Sequence, residues 1–153
     1  MTMAYRPDLQ EIEKAYQEVI LHWCEIDDQL DDLKIGRKDT PFDQRLMDNM
    51  MYAWEYIDSF IKENEYSLFS KEGGPNMLEI NHRVHYGQDY TLREEYLKAI
   101  DATTEKFSRQ IVPIRKYYKR KTALQTSVSK IASEVYIAIL GQPQLFIEGN
   151  HRT

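Results

Sequence analysis

A chain of 153 residues with 42% hydrophobic content, eleven Tyr and two Trp has enough apolar surface for one core, and six Gly with five Pro leave helix as the favoured state. No apolar run reaches the roughly 20 residues of a membrane span, Met1-Thr2-Met3-Ala4-Tyr5-Arg6 lacks the apolar block of a signal peptide, and the one cysteine, Cys24, has no partner for an internal disulfide; a soluble cytoplasmic protein without a membrane partner is the expectation. The net charge of −5 is uneven: residues 1–74 carry 17 Asp/Glu against 8 Lys/Arg, and residues 75–153 carry 8 against 12, so the second part suits an anionic ligand while the first repels nucleic acid.

Arg6-Pro7-Asp8 precedes Leu9, Ile12, Tyr16, Val19, Trp23, Ile26, Leu30 and Leu33, which recur at alternating steps of three and four. That heptad seam predicts one helix over 8–34, with Gly36 as its stop. An antiparallel neighbour in the same chain is the expected seam partner, and a homodimer through residues 9–33 is the alternative. Thr40-Pro41-Phe42-Asp43 reads as an N-cap followed by Pro at the first helical position, and Phe42, Leu46, Met50, Trp54 (or Ala53), Ile57 and Ile61 continue on one face. A helical hairpin of residues 8–34 and 41–65 results.

Ser70-Lys71-Glu72-Gly73-Gly74-Pro75-Asn76 breaks the pattern where the charge balance changes sign, which divides the chain into an N-terminal helical hairpin, residues 1–70, and a second part, residues 71–153. Residues 77–86 fit either a short helix stopped by Gly87 or, through Val84, Tyr86 and Tyr90, an extended hairpin; periodicity leaves both open. Thr91-Leu92-Arg93-Glu94 reads as a capping box, opening a helix whose buried face runs Tyr96 (or Leu97), Ile100, Thr103 and Phe107. Pro113 is expected to interrupt or kink the helix around it. Arg115, Lys116, Lys119, Arg120 and Lys121 then interleave with Tyr117 and Tyr118, a solvated helix face rather than an RNA or lipid surface given the acidic chain as a whole. Leu124, Val128, Ile131, Ala132, Val135, Tyr136 and Ile139 predict a last amphipathic helix ending at Leu140-Gly141.

The stretch after that helix, Gln142-Pro143-Gln144-Leu145-Phe146-Ile147-Glu148-Gly149-Asn150-His151-Arg152-Thr153, carries the chemistry. A Gly-Asn pair followed by Arg offers backbone N–H groups and a guanidinium to a phosphate, and Glu148 beside them is a candidate ligand for a divalent cation. These residues resemble the signature of the Fic family, His-x-Phe-x-Asp/Glu-Gly-Asn-Gly-Arg, and the helical Ile131-Ala132-Ser133-Glu134-Val135-Tyr136 ahead of them is similar to the helix that precedes it in that family. The resemblance implies an all-α, Fic-like helical bundle that transfers AMP from ATP to a protein hydroxyl, with Mg²⁺ on the phosphates. Glu148 then takes the metal-binding position, Gly149, Asn150 and His151 the phosphate-cradling turn, Arg152 the phosphate-binding guanidinium, and Phe146 the core anchor of the loop. Gln144 stands where the family has its basic His, and His151 where it has a second Gly. An amide has no basic nitrogen near neutral pH, so the loss expected at Gln144 is of order 10²–10⁴ in rate. The Gly-Asn-Gly-Arg turn of the family opens a further helix, so the expectation is either a piece of a longer product or a scaffold kept without the reaction.

The same resemblance extends to two weaker features. Ser59-Phe60-Ile61-Lys62-Glu63-Asn64 matches the pattern of the Fic inhibitory helix, which makes Ser59 and Glu63 inhibitory candidates, with a solvated helix end as the plain reading. A flap hairpin near residues 82–90 would hold the target peptide. Outside the resemblance, Glu79-Ile80-Asn81-His82 has the Glu-x-x-His spacing of di-metal bundles, but no second copy accompanies it. The function expected is nucleotide-phosphate binding related to protein adenylyltransferases; the alternative is a non-enzymatic helical interaction or dimerisation module.

Overall fold

The computed structural model describes residues 6–33, 42–141 and 143–147, and over these the chain forms seven helices and no strand. Asp8 caps the first, α1 (Leu9–Leu21), its carboxylate accepting from the N–H groups of Gln10 and Glu11 at 3.2 Å. The uninterrupted helix expected over 8–34 is instead two. At His22 (φ −102°, ψ 12°) the chain turns into α2 (Trp23–Asp32), although Ile26 N–H still donates to the His22 carbonyl at 3.1 Å. No Pro or Gly marks this break in the sequence.

The next helix, α3 (Gln44–Glu63), packs against α1, so the first half of the heptad seam finds its neighbour within the chain. Phe42 lies between Tyr16 and Trp23, with ring centroids 5.5 and 6.2 Å away, and the Trp54 indole donates to the Tyr16 hydroxyl at 3.0 Å. Its cap is Asp43, whose carboxylate accepts from Leu46 N–H at 2.8 Å; Thr40 and Pro41 lie outside the described residues. The side chain of Asp43 can reach the third N–H onward, which is what the cap position requires.

Gly73 and Pro75, expected in the middle of a break, instead begin α4 (Gly74–Tyr86). Pro in the first turn has no helical acceptor to lose and its fixed φ suits the helix. Met77, Ile80, Asn81 and Val84 are spaced by three, one and three, so all four reach one buried face, and this decides residues 77–86 for helix over hairpin. The flap hairpin near 82–90 is therefore corrected: the segment is the end of α4, a turn, and the start of α5 (Tyr90–Glu95). Gly87 stops α4 at φ +57°, and the Asn49 amide of α3 donates to the Val84 and His85 carbonyls there, at 3.2 and 3.4 Å. A Cβ at Gly87 would overlap the Asn49 amide, so both the backbone angle and the close approach need glycine.

Asp89, not Thr91, caps α5, accepting from Leu92 N–H at 3.0 Å. A second unannounced break at Tyr96 leads into α6 (Leu97–Ala123), 27 residues long. Pro113 does not interrupt α6. It sits at an exposed position of the helix, with the ring clear of the packed face. At the far end Gln125 takes φ +52°, and Thr126 N–H reaches back to the Lys121 carbonyl at 3.1 Å, the bond pattern of a Schellman turn made without glycine. Ser127 then precedes α7 (Val128–Leu140).

Two apolar clusters hold these helices. In one, Ala53 of α3 meets Ile80 and Val84 of α4; in the other, Phe107, Ile111 and Ile114 of α6 gather Met77, Val135, Leu145 and Phe146, and Leu68 packs on both. Of the apolar face expected on α7, Ile131, Val135 and Ile139 pack on the second cluster, whereas Val128 and Tyr136 are 82% and 49% exposed. No described helix is long and apolar enough to cross a membrane.

The start of α1 is tied to α3 by charge. Arg6 donates twice to Asp58, Nε to Oδ1 at 2.8 Å and Nη2 to Oδ2 at 3.0 Å, and Lys62 Nζ lies 2.7 Å from Oδ2. The hydrogen bonds from Arg6 and then Lys62 lower the Asp58 carboxyl from 3.8 to about 2. A depressed carboxyl contributes stability above its unfolded value and loses it as pH falls through its folded one. Asp58→Asn is therefore expected to melt below the parent at pH 7, with the gap closing between about pH 4 and pH 2 in thermal scans; a gap constant across that window would remove the assigned role.

Candidate phosphate loop and the imidazole pocket beside it

After Leu140 the chain leaves α7 and folds back into the core. Gly141 N–H bonds the Ile137 carbonyl at 2.8 Å, and farther along the loop Leu145 N–H bonds the Ile139 carbonyl at 3.2 Å. Leu145 and Phe146 are at 0% and 1% exposure, among the most enclosed of the described side chains. The Phe146 ring stacks on Phe107 with centroids 5.5 Å apart and planes at 11°, and Lys106 Nζ donates to the Phe146 carbonyl at 2.9 Å. Phe146, named from sequence as the anchor of the loop, is thus buried against α6. Gln144 is half-buried one residue ahead of Leu145. Glu148, Gly149, Asn150, His151 and Arg152 lie outside the described residues.

Ser59 and Glu63 are both exposed on the last turns of α3, while Asp58 and Lys62 beside them make the ion pair to each other. Water faces both inhibitory candidates on this helix end.

Ile147 forms part of the wall of a cavity of about 250 Å³. Its other walls come from α4, through Asn81, His82 and His85, and from α6, through Thr103. Asn81 and Thr103 are buried. His82 and His85 are one helical turn apart and therefore present their imidazoles on one side of α4. Burial, and then the nearby Arg93 guanidinium, hold the His82 imidazole below its ordinary value, so it is neutral at neutral pH. Its Nε2 is buried with no hydrogen-bond partner among the described residues.

Glu79, the acid of the Glu-x-x-His spacing, does not turn into this cavity as a ligand would. Arg83 Nε lies 2.7 Å from Oε1 and Arg93 Nη1 3.0 Å from Oε2, so both carboxylate oxygens are taken. Burial raises its pKa, but the Arg93 and Arg83 bonds outweigh that and leave it lowered. Arg83 in turn lies over the Tyr52 and Tyr56 rings, 4.0 and 4.2 Å from their centroids. Among the described residues no three His, Cys, Asp or Glu side chains converge as a metal site.

Sequence spacing alone leaves His85 uncommitted and Asn81 unread. Their signal is a helical spacing, 81, 82, 85, that becomes meaningful once 77–86 is known to be helix. Compared with known proteins, the chain matches no family model, no curated protein and no solved structure.

Phe146→Ala is expected to cost about 3–5 kcal/mol in chemical denaturation, the range for emptying a large aromatic site. Ile147→Ala, 45% exposed, should change stability by less than about 0.5 kcal/mol. Equal effects of the two would show that the loop is not inserted as described.

Proposed function

We propose that the chain is a Fic-like protein that binds a nucleotide phosphate on residues 148–152 and does not transfer AMP at an appreciable rate. The observation that supports this reading most is the insertion of Leu145 and Phe146 into the core directly ahead of the phosphate-type sequence, with the Phe146 carbonyl held by Lys106. A phosphate turn needs backbone N–H groups in fixed directions, and a fixed entry point is what a buried anchor supplies. On this reading Gly149, Asn150 and His151 offer the N–H groups and Arg152 the guanidinium, in the bidentate geometry that suits phosphate oxygens.

Mg²⁺ is commonly held by one or two carboxylates together with substrate phosphates and water, and Glu148 with ATP is a donor set of that kind. Such an ion would neutralise phosphate charge. Gln144 can hydrogen-bond an incoming hydroxyl but cannot take its proton, so the protein retains binding without the base that transfer needs. The protein target of an ancestral transfer reaction is left open by every residue in the chain.

A second reading is a helical interaction module. The α1 part of the seam meets α3, which argues against that part as a dimer surface; the observation in favour is instead the outward Val128, Tyr136 and Ile137 of α7.

ATP with Mg²⁺ should raise the melting temperature, and Arg152→Ala should abolish that shift. Radiolabel should not pass from α-labelled ATP to protein. Absence of a shift in the parent, or an identical shift in Arg152→Ala, contradicts nucleotide binding at this loop; strong label transfer contradicts the role given to Gln144.

A further inference from the structure

A second cavity, of about 610 Å³, lies between the segment ahead of α4 and the last turns of α6, and none of its lining residues belongs to the imidazole pocket. Its size is within the range of roughly 300–1,000 Å³ that small-molecule sites occupy. On α6, Arg115, Tyr118 or Lys119, and Thr122 succeed one another at helical spacing and face it together. Lys71 adds a third cation from the opposite wall.

Among the described residues only one carboxylate, Glu72, lines the same space. Its own backbone N–H and the Ser70 hydroxyl bond it, and with Lys71 and Arg115 nearby they hold it below the ordinary range, so it is charged at neutral pH and still outnumbered. Arg115 is half-buried, and its Nε is buried with no hydrogen-bond partner among the described residues. A buried guanidinium N–H without an acceptor is the kind of group a ligand oxygen satisfies. The guanidinium lies so close over Gly74 that a Cβ there would overlap Nη2.

Aromatic surface completes the site. Phe69 stacks on Tyr118 with centroids 4.9 Å apart and planes at 29°. The wall that carries Phe69 is fixed by its own hydrogen bonds: Phe69 N–H donates to the Ser67 hydroxyl at 3.1 Å, Ser70 N–H to the Ser67 carbonyl at 2.9 Å, and Gly73 N–H to the Ser70 hydroxyl at 3.0 Å. Gly73 is buried where a Cβ would run into the Ser67 carbonyl and Leu68 backbone, so the turn closes only around glycine. Cations placed beside a flat apolar surface in a preformed wall select a ligand with an anionic group on a ring.

We propose that this pocket binds a small phosphorylated aromatic compound, its phosphate on Arg115 and Lys119 and its ring beside Phe69 and Tyr118. None of residues 144–147 lines the site, and the proposal does not depend on the function proposed for residues 144–152.

Naphthyl phosphate, whose fluorescence reports its surroundings, is a direct probe for the full chain. Saturable binding is expected, weakened at least about tenfold by Lys119→Glu, whose exposed position should leave the circular dichroism spectrum unchanged. Gly74→Ala, which keeps every charge but pushes the Arg115 guanidinium aside, should weaken it by a similar factor. Inorganic phosphate should compete, but more weakly than the aryl ester. No saturable binding by the folded protein, binding indifferent to Lys119→Glu, or equal competition by inorganic phosphate would each overturn the proposal. So would a single-stranded oligonucleotide that displaces the probe at lower concentration than the aryl phosphate itself, since the surface would then serve nucleic acid.

Discussion

The face-to-face contact of Phe146 with Phe107 is the interaction on which the described structure turns, because it pulls the chain back after α7 and seals the centre of α6. Fixing the backbone of residues 144–147 costs about 1–2 kcal/mol each, or about 4–8 kcal/mol together. Burying one Leu and one Phe returns about 3–6 kcal/mol, and the aromatic pair adds about 1 kcal/mol. Hydrophobic burial alone thus comes close to balance. The two hydrogen bonds, Leu145 N–H to the Ile139 carbonyl and the charged Lys106 to the Phe146 carbonyl, contribute about 1 and about 2 kcal/mol and decide the outcome for the ordered loop.

Charge organises the rest of the molecule by a common device, a carboxylate shared between two cations. Asp58 is shared by Arg6 and Lys62, and Glu79 by Arg83 and Arg93. In each case the acid sits on a central helix and a cation comes from another element, so the pair fixes how α1's start meets α3 and how α5 meets α4. This occupies acids that composition alone would have offered to a metal. It also leaves the cations of the second part unevenly matched, and the imbalance concentrates around Arg115, where three cations face Glu72.

Much of the helix content was legible in the residues, since three-and-four spacing needs only one side chain per position to be read. The α1 part of the seam found α3, and Phe146 was rightly expected in the core. What escaped was of two kinds. The breaks at His22 and Tyr96 carry no Gly or Pro, and the caps at Asp43 and Asp89 lie within three residues of equally good alternatives, so local chemistry does not choose between them. The exposure of Val128 and Tyr136 on α7 and the pocket around Arg115 depend on which helices meet, and that is settled by contacts far apart in the chain. Gly73 shows the difference well: its sequence context says break, while its position against Ser67 and Leu68 says close packing.

The proposed function rests on a loop whose first half is core and whose second half is proposed to bind the phosphate. Amide hydrogen exchange at Leu145 tests that arrangement most directly. If Leu145 and Phe146 are integral to the α6 core, the Leu145 amide exchanges only with global unfolding, at the free energy measured for Ile111. Exchange of Leu145 through a low-energy local opening, while Ile111 stays protected, would contradict it and detach the candidate phosphate turn from the fold.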